Sequence, residues 1–110
     1  MTKTLSILGG YGRAGRAVSR LVAQERKWRV ICAGRTASKA EAWANQLGID
    51  WAAVDVDRPG DLVDHLRDVD VVLVALPFLG ERSRAEGIVD AVIQTGTDYL
   101  DIIPDPEKWP

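Results

Sequence analysis

Hydrophobic positions along the chain follow two alternating spacings, and each spacing predicts a different element. A short apolar run at residues 4–8 ends in glycines, which is typical of a strand. From Arg13 onward the apolar residues recur three and four positions apart, as on the buried face of a helix. The two patterns then repeat, which predicts further strands at residues 29–33, 49–54, 69–76 and 98–102, with a helix in each interval.

Residues that start and stop helices support these boundaries. Ser38 followed by Glu41 indicates a capping box at the start of the second helix, and Gly48 stands where that helix would end. Pro59 suits the first turn of a short third helix. The run at residues 69–76 is almost continuously apolar, which is typical of a strand buried on both faces of a parallel sheet.

This alternation predicts an α/β fold, a doubly wound parallel sheet of five strands with helices on both faces. The strand order is 3-2-1-4-5 if the chain reverses direction after the third strand. The length of 110 residues suits one domain, which we place at residues 1–103. Residues 104–110 are interpreted as a tail, or as the start of a linker to a missing substrate-binding and catalytic domain.

Composition narrows the class of protein. No apolar run reaches the roughly 20 residues that span a bilayer, and the N-terminal segment lacks a signal-peptide pattern. We therefore expect a cytoplasmic protein with no membrane partner. The single cysteine, Cys32, lies within an apolar strand and is expected to be a buried, inert thiol, and no metal site is predicted. His65 lies mid-helix between acidic residues and is expected to be exposed.

The charges are divided unevenly along the chain. Residues 1–47 carry nine Lys and Arg against two acids, whereas the remainder carries five basic and fourteen acidic side chains. An anionic ligand would therefore be met by the N-terminal half, although most of these charges are interpreted as solvated helix faces. Nucleic acid is not expected, because the basic residues are not interleaved with aromatics and the net charge is −2.

Residues 10–15 read Gly-Tyr-Gly-Arg-Ala-Gly, the G-x-G-x-x-G pattern, placed between a strand and an amphipathic helix. That context predicts a dinucleotide site of the Rossmann type. Gly10 would permit the tight turn, Gly12 the close approach of a pyrophosphate, and Gly15 the close packing of helix on strand. The open amides of the helix N-terminus would bind the phosphates. The predicted pyrophosphate-binding residues are Gly10, Gly12, Arg13, Ala14 and Gly15.

The same stretch also fits glycines at positions 9, 12 and 15, a spacing seen in extended short-chain dehydrogenases. Those enzymes need a Tyr-x-x-x-Lys pair for catalysis. Tyr11 is followed by Gly15 and Tyr99 by Ile103, so this chain lacks the pair. The catalytic residues are left unassigned.

The residue after the second strand bears on the choice of cofactor. An NAD site usually has Asp or Glu about 20 residues after the glycines, which binds the ribose hydroxyls. Here Arg35 and Thr36 occupy that place. A guanidinium pairs with the 2′-phosphate of NADP through charge-assisted bonds, so NADP is the preferred cofactor. NAD remains an alternative, because an arginine can also stack on adenine.

Residues at the ends of the next strands complete the predicted site. Asp55 ends the third strand, where it would meet the adenine amine. A ligand lying across the sheet's switch point would run past Ala75, Pro77 and Phe78, at the carboxyl end of the fourth strand. Asp57 is interpreted as a turn or cap residue.

Several segments resemble the N-terminal NAD(P)-binding domain of the saccharopine dehydrogenase-like family. The most specific features are Gly-Arg-Thr at residues 34–36, Pro-Phe at 77–78 and Gly-x-x-Tyr-x-Asp at 96–101. The resemblance implies that Gly10, Gly12, Arg13 and Gly15 hold the pyrophosphate, and that Arg35 and Thr36 hold the 2′-phosphate. It places Asp55 near adenine, and Pro77 and Phe78 near the inner ribose and nicotinamide.

The leading hypothesis is the cofactor-binding part of an NAD(P)-dependent oxidoreductase, with a small-molecule substrate held by a second domain. The isolated chain is then expected to bind dinucleotide and to be inactive, and a homodimer is one option for the complete protein. One alternative is a dinucleotide-sensing regulatory module without catalysis. Another is a Rossmann-like domain for a nucleotide sugar or S-adenosylmethionine.

Overall fold

The computed structural model describes residues 2–76 and 82–101. Within them, strands and helices alternate along the chain as β1 (Lys3–Leu8), α1 (Arg13–Glu25), β2 (Trp28–Gly34), α2 (Ala37–Leu47), β3 (Asp50–Ala53), α3 (Pro59–Leu66), β4 (Val71–Val74), α4 (Arg82–Thr95) and β5 (Asp98–Asp101). All four strand pairings are parallel, and the order is β3-β2-β1-β4-β5. The predicted doubly wound sheet is therefore confirmed.

The third and fourth strands are shorter than the apolar pattern predicts. Val54 and Val69 lie outside the strands, yet both are buried. Their apolar character therefore reflects burial and not strand pairing. The Val69 amide donates to the Leu66 carbonyl (3.1 Å) and so belongs to the turn between α3 and β4. When the turns that flank a buried strand are buried too, the apolar run in the sequence is longer than the strand itself.

The start of α2 differs from the predicted capping box. The helix begins at Ala37 with Thr36 as its N-cap, and no side chain caps it. Ser38 is therefore already inside the helix, two residues after the cap position. The predicted end is confirmed, since Gly48 adopts a left-handed conformation (φ 71°) and its amide donates to the Ala44 carbonyl.

Side chains on both faces of the sheet are packed under helices. On one face, the β-strand residues Val72 and Val74 pack against buried residues of α3 and α4, among them Leu62 and Ile88. On the other face, Leu5, Ile7, Val30 and Leu73 contact the apolar side of α1. Because every strand runs in the same direction, the carboxyl ends of β1, β2 and β4 meet at one edge of the sheet, where a ligand crevice is expected.

His65 is half-buried, so its predicted exposure was wrong. It lies on α3 three residues after the fully buried Leu62, which turns the ring towards the sheet. There His65 Nε2 shares a 2.6 Å hydrogen bond with the Oγ of Ser6, a β1 residue with no exposed surface. The outer side of the ring faces a shallow cavity that Arg29, Asp50 and Asp68 also line.

Burial lowers the pKa of His65 below its ordinary value of 6.5, against the opposing effect of the Asp61 carboxylate. Because the folded pKa is the lower one, the unfolded chain binds more protons. The stability that neutral His65 contributes is therefore present above pH 6.5 and is lost as the pH falls through 6.5 towards the folded value. We expect the free energy of unfolding, measured in urea, to fall more steeply below pH 6.5 in wild type than in His65→Gln. Parallel pH profiles would contradict this.

Candidate functional site

The turn after β1 is built from Gly9, not from Gly10 as the motif predicted. Gly9 has φ 81°, which favours glycine, and a Cβ there would lie 2.9 Å from the Ala75 carbonyl oxygen. Gly10 is needed for a different reason, since its Cβ would lie 2.8 Å from the Sγ of Cys32 on β2. The amides of both glycines donate to the Ala33 carbonyl of β2, which ties the loop to the sheet.

Cys32 forms the floor beneath this loop. Its side chain is fully buried, and desolvation raises the pKa of the thiol to about 11. A thiol with that pKa stays protonated at neutral pH, so it is a poor nucleophile. The predicted burial of Cys32 is confirmed, and the raised pKa agrees with the inert role expected for its thiol.

Helix α1 begins directly against the glycine turn. A Cβ on Gly15 would lie 2.7 Å from the Gly10 Cα and would also collide with the Gly9 carbonyl, so only glycine permits this approach. Gly12 is the N-cap, no side chain caps the helix, and no acidic residue stands in its first turn. The Arg16 amide makes the bond to the Gly12 carbonyl (2.8 Å) that opens the helical series.

The backbone amides of Arg13, Ala14 and Gly15 precede Arg16 in α1. They have no acceptor within the helix, as at any helix start. Their free N–H groups, together with the helix dipole, favour a negatively charged ligand. Arg13, exposed at the first helical position, adds a cation at the same end. The backbone cradle and its charge therefore fit the pyrophosphate of a dinucleotide.

A crevice of about 220 Å³ opens beside the glycine turn, at the carboxyl ends of β1 to β4. Its apolar walls include Leu8, Val54 and Leu76. Arg35 and Asp55 supply polar groups from the ends of β2 and β3. An apolar slot with charged groups at its rim suits an adenosine, whose base has flat apolar faces and a polar edge and whose ribose is polar.

Asp55 and the loop after it hold each other in place. The Asp55 amide donates to Asp61 Oδ2 (2.8 Å), and one carboxylate oxygen of Asp55 accepts from the Asp57 amide (3.0 Å). The second contact is a local turn, so the backbone role predicted for Asp57 is confirmed.

The side chain of Asp57 does more than the sequence indicated. Its carboxylate accepts two hydrogen bonds from Arg84 of α4 (3.0 and 3.1 Å), and both residues line the crevice. The hydrogen bond from Arg84 lowers the pKa of Asp57, and the charge of Arg35 acts in the same direction. The crevice is thus bordered by two cations and two carboxylates.

Tyr11 is a further residue of this site that motif analysis missed. Its ring lies over Gly34, where a Cβ would come within 2.8 Å of the ring carbon Cζ. Its hydroxyl accepts a hydrogen bond from the Thr36 amide (3.1 Å). A large residue inside a glycine loop opposite a glycine at a strand end is a signal that could have suggested the contact.

The structure brings most of the predicted site residues to one edge of the sheet. Arg35 and Thr36 stand opposite the glycine loop, and Asp55 lies across the crevice. The Ala75 amide donates to the Leu8 carbonyl (2.9 Å), so Ala75 lies beside the glycine turn, not on the crevice wall. Pro77 and Phe78 lie outside the described residues.

The parallel sheet, the glycine turn and the uncapped helix define a dinucleotide-binding domain of the Rossmann type. The chain belongs to the family described as the saccharopine dehydrogenase NADP binding domain, which matches residues 5–108. NADP is accordingly the cofactor of this domain, and the predicted family is confirmed. Comparison with curated proteins gave no match.

Solved structures of oxidoreductases share the fold. A saccharopine dehydrogenase (L-Glu forming) from Saccharomyces cerevisiae is 28% identical, with a TM-score of 0.81 over 94% of this chain and 22% of that one. A short-chain dehydrogenase/reductase from Veillonella parvula, solved with NADP, is 18% identical, with a TM-score of 0.74 over 92% and 47%. An NADPH-dependent quinone oxidoreductase from Escherichia coli is 22% identical, with a TM-score of 0.72 over 88% and 35%.

The chain therefore spans less than half the length of each of these three proteins. Among the residues that the structure describes, no helix is long and apolar enough to cross a bilayer.

Proposed function

We propose that this chain binds NADP(H) in a defined orientation, with the pyrophosphate at the N-terminus of α1 and the 2′-phosphate on Arg35 and Thr36. The observation that carries this is the juxtaposition of an uncapped, backbone-lined helix N-terminus with a crevice bordered by Arg35. Asp55 would meet the adenine amine from the opposite wall. A carboxylate in place of Arg35 would repel a second phosphate, whereas a guanidinium attracts it.

We further propose that the chain is the cofactor-binding part of an oxidoreductase whose substrate and catalytic groups lie in another domain. NADPH, when bound, supplies a hydride, and the residues of this chain bind it, orient it and neutralise its phosphates. The chain covers 22% of the yeast enzyme, which supports a division of the complete protein into this domain and a separate substrate-binding and catalytic part. We place the end of the cofactor-binding domain at residue 103. Alone, the chain would bind the cofactor without catalysing hydride transfer.

Calorimetric titration of the chain with NADPH, and separately with NADH, tests the orientation. We expect NADPH to bind at least about tenfold more tightly, because one charge-assisted phosphate contact contributes about 1.5–3 kcal/mol. Equal affinity for the two would contradict the role of Arg35 while leaving the dinucleotide site in place. Binding of neither by a chain shown to be folded would contradict the proposal for this domain.

A further inference from the structure

Tyr11 occupies a position in the glycine loop where the phosphate cradle itself needs no side chain. The ring is half-buried and lies on Gly34, the last residue of β2. A methyl group at position 34 would overlap the ring, so the missing side chain of Gly34 forms the seat for Tyr11. The backbone of Tyr11 is held as well, because its carbonyl accepts a hydrogen bond from Arg16 Nε (2.8 Å).

The hydroxyl of Tyr11 contacts Thr36, the residue that follows Arg35 in the chain. It accepts from the amide of Thr36, the N-cap of α2, whose own carbonyl accepts the helical bond from Ala40 (3.1 Å). Tyr11 therefore contacts both chain neighbours of Arg35, one through its ring and one through its hydroxyl. Arg35 itself is exposed, and the segment around it is also held by the end of β2, where the Gly34 carbonyl accepts from the Val54 amide (2.9 Å), and by the start of α2.

We propose that Tyr11 is a positioning residue for the 2′-phosphate site, and that it fixes the backbone of residues 34–36 against the glycine loop so that Arg35 and Thr36 face the phosphate. This inference rests on the proposed function, since it concerns how Arg35 recognises NADP. A preorganised segment loses less conformational entropy on binding, so the contact strengthens recognition of the 2′-phosphate without touching the ligand. The pyrophosphate cradle does not depend on the hydroxyl.

Tyr11→Phe keeps the ring on Gly34 and removes only the hydroxyl. Tyr99→Phe is the matched control, since its hydroxyl donates to Asp101 on the edge strand β5, which is separated from β2 by β1 and β4. The probes are adenosine 2′,5′-bisphosphate and 5′-AMP, which differ only in the 2′-phosphate. We expect Tyr11→Phe to weaken the bisphosphate about three- to tenfold, the value of one hydrogen bond, with 5′-AMP and the control unchanged.

Two further measurements separate positioning from general stability. The Thr36 amide hydrogen should exchange faster in ligand-free Tyr11→Phe than in wild type or Tyr99→Phe, because its acceptor is gone. Gly34→Ala should displace the ring and cause the same selective loss of bisphosphate affinity. The double variant should then bind the bisphosphate as weakly as Gly34→Ala alone, because both changes break the same contact.

Each other result overturns the inference. Equal weakening of both probes would make Tyr11 a support for the whole site, and unchanged binding would make it a packing residue. Tighter binding of the bisphosphate would mean that the hydroxyl competes with the phosphate for the Thr36 amide. If wild type itself does not prefer the bisphosphate over 5′-AMP, the role proposed for Arg35 fails and this inference fails with it. A wild-type preference that is undiminished in Tyr11→Phe overturns this inference alone.

Discussion

Arg35→Asp should weaken NADPH binding by about 100-fold or more and leave NADH binding equal or tighter. The substitution removes a charge-assisted contact of about 1.5–3 kcal/mol and adds a carboxylate that repels the 2′-phosphate. The same carboxylate suits NADH, because it can accept hydrogen bonds from both ribose hydroxyls. The measurement is the ratio of the two dissociation constants, obtained by titration in one buffer at fixed ionic strength.

Arg67→Asp is the matched control for this charge change. Arg67 directly follows α3 and is exposed, and its Nε lies 3.9 Å from the Asp64 carboxylate. The Arg67→Asp substitution makes the same change in net charge at a distance from the crevice. The affinities for NADPH and NADH should therefore both stay close to wild type. If Arg35→Asp and Arg67→Asp lower NADPH affinity equally, the effect is long-range electrostatics, and the contact assigned to Arg35 does not exist.

The order of the elements could be predicted because local patterns determine it. Apolar spacing distinguished the strands from the helices, and strict alternation with right-handed crossovers leaves few arrangements of a parallel sheet. The position of the glycine loop followed for the same reason, since a motif between a strand and a helix has only one place in such a fold. Where the prediction failed on boundaries, as at Val69, turns adjacent to the strands were also buried.

Details that depend on dihedral angles or distant contacts could not be predicted. The residues Gly9-Gly10-Tyr11-Gly12 fit two overlapping glycine spacings, and only the φ of 81° shows that Gly9 makes the turn. Asp57 and Arg84 are 27 residues apart, and their pairing depends on where α4 begins relative to the end of β3. No local sequence pattern predicts where α4 begins relative to the end of β3.

The uneven charge distribution acquires a structural meaning at the crevice. The first β-α-β unit supplies the glycine cradle and the cations Arg13 and Arg35, which suit phosphates. The loop after β3 supplies Asp55 and Asp57. Asp57 faces cations from two sides, since Arg84 pairs with it and the charge of Arg35 also lowers its pKa. In the proposed complex the basic half would meet the anionic part of the ligand, and the acidic half supplies Asp55 and Asp57 to the crevice wall.

Gly15→Ala should destabilise the domain and weaken nucleotide binding together. The added Cβ would meet backbone atoms of both Gly9 and Gly10, including the Gly10 Cα at 2.7 Å, and backbone cannot move aside as a side-chain end can. Helix α1 must then shift away from the turn. We expect a loss of about 2–3 kcal/mol in the free energy of unfolding, at the upper end for overpacking, even after the helix propensity gained by alanine.

Gly87→Ala is the matched control, because it adds the same methyl group within α4 where, among the described residues and apart from the adjoining helix backbone, no atom lies within 4 Å. It should leave stability unchanged or raise it by up to about 1 kcal/mol through helix propensity. NADPH affinity, measured well below the melting temperature of each variant, should fall at least about tenfold in Gly15→Ala, since a displaced helix N-terminus costs charge-assisted phosphate contacts of about 1.5–3 kcal/mol. The NADPH affinity of Gly87→Ala should equal that of wild type. A folded Gly15→Ala with wild-type stability would disprove the close approach of α1 to the turn, whereas one that is destabilised yet binds NADPH normally would place the pyrophosphate elsewhere.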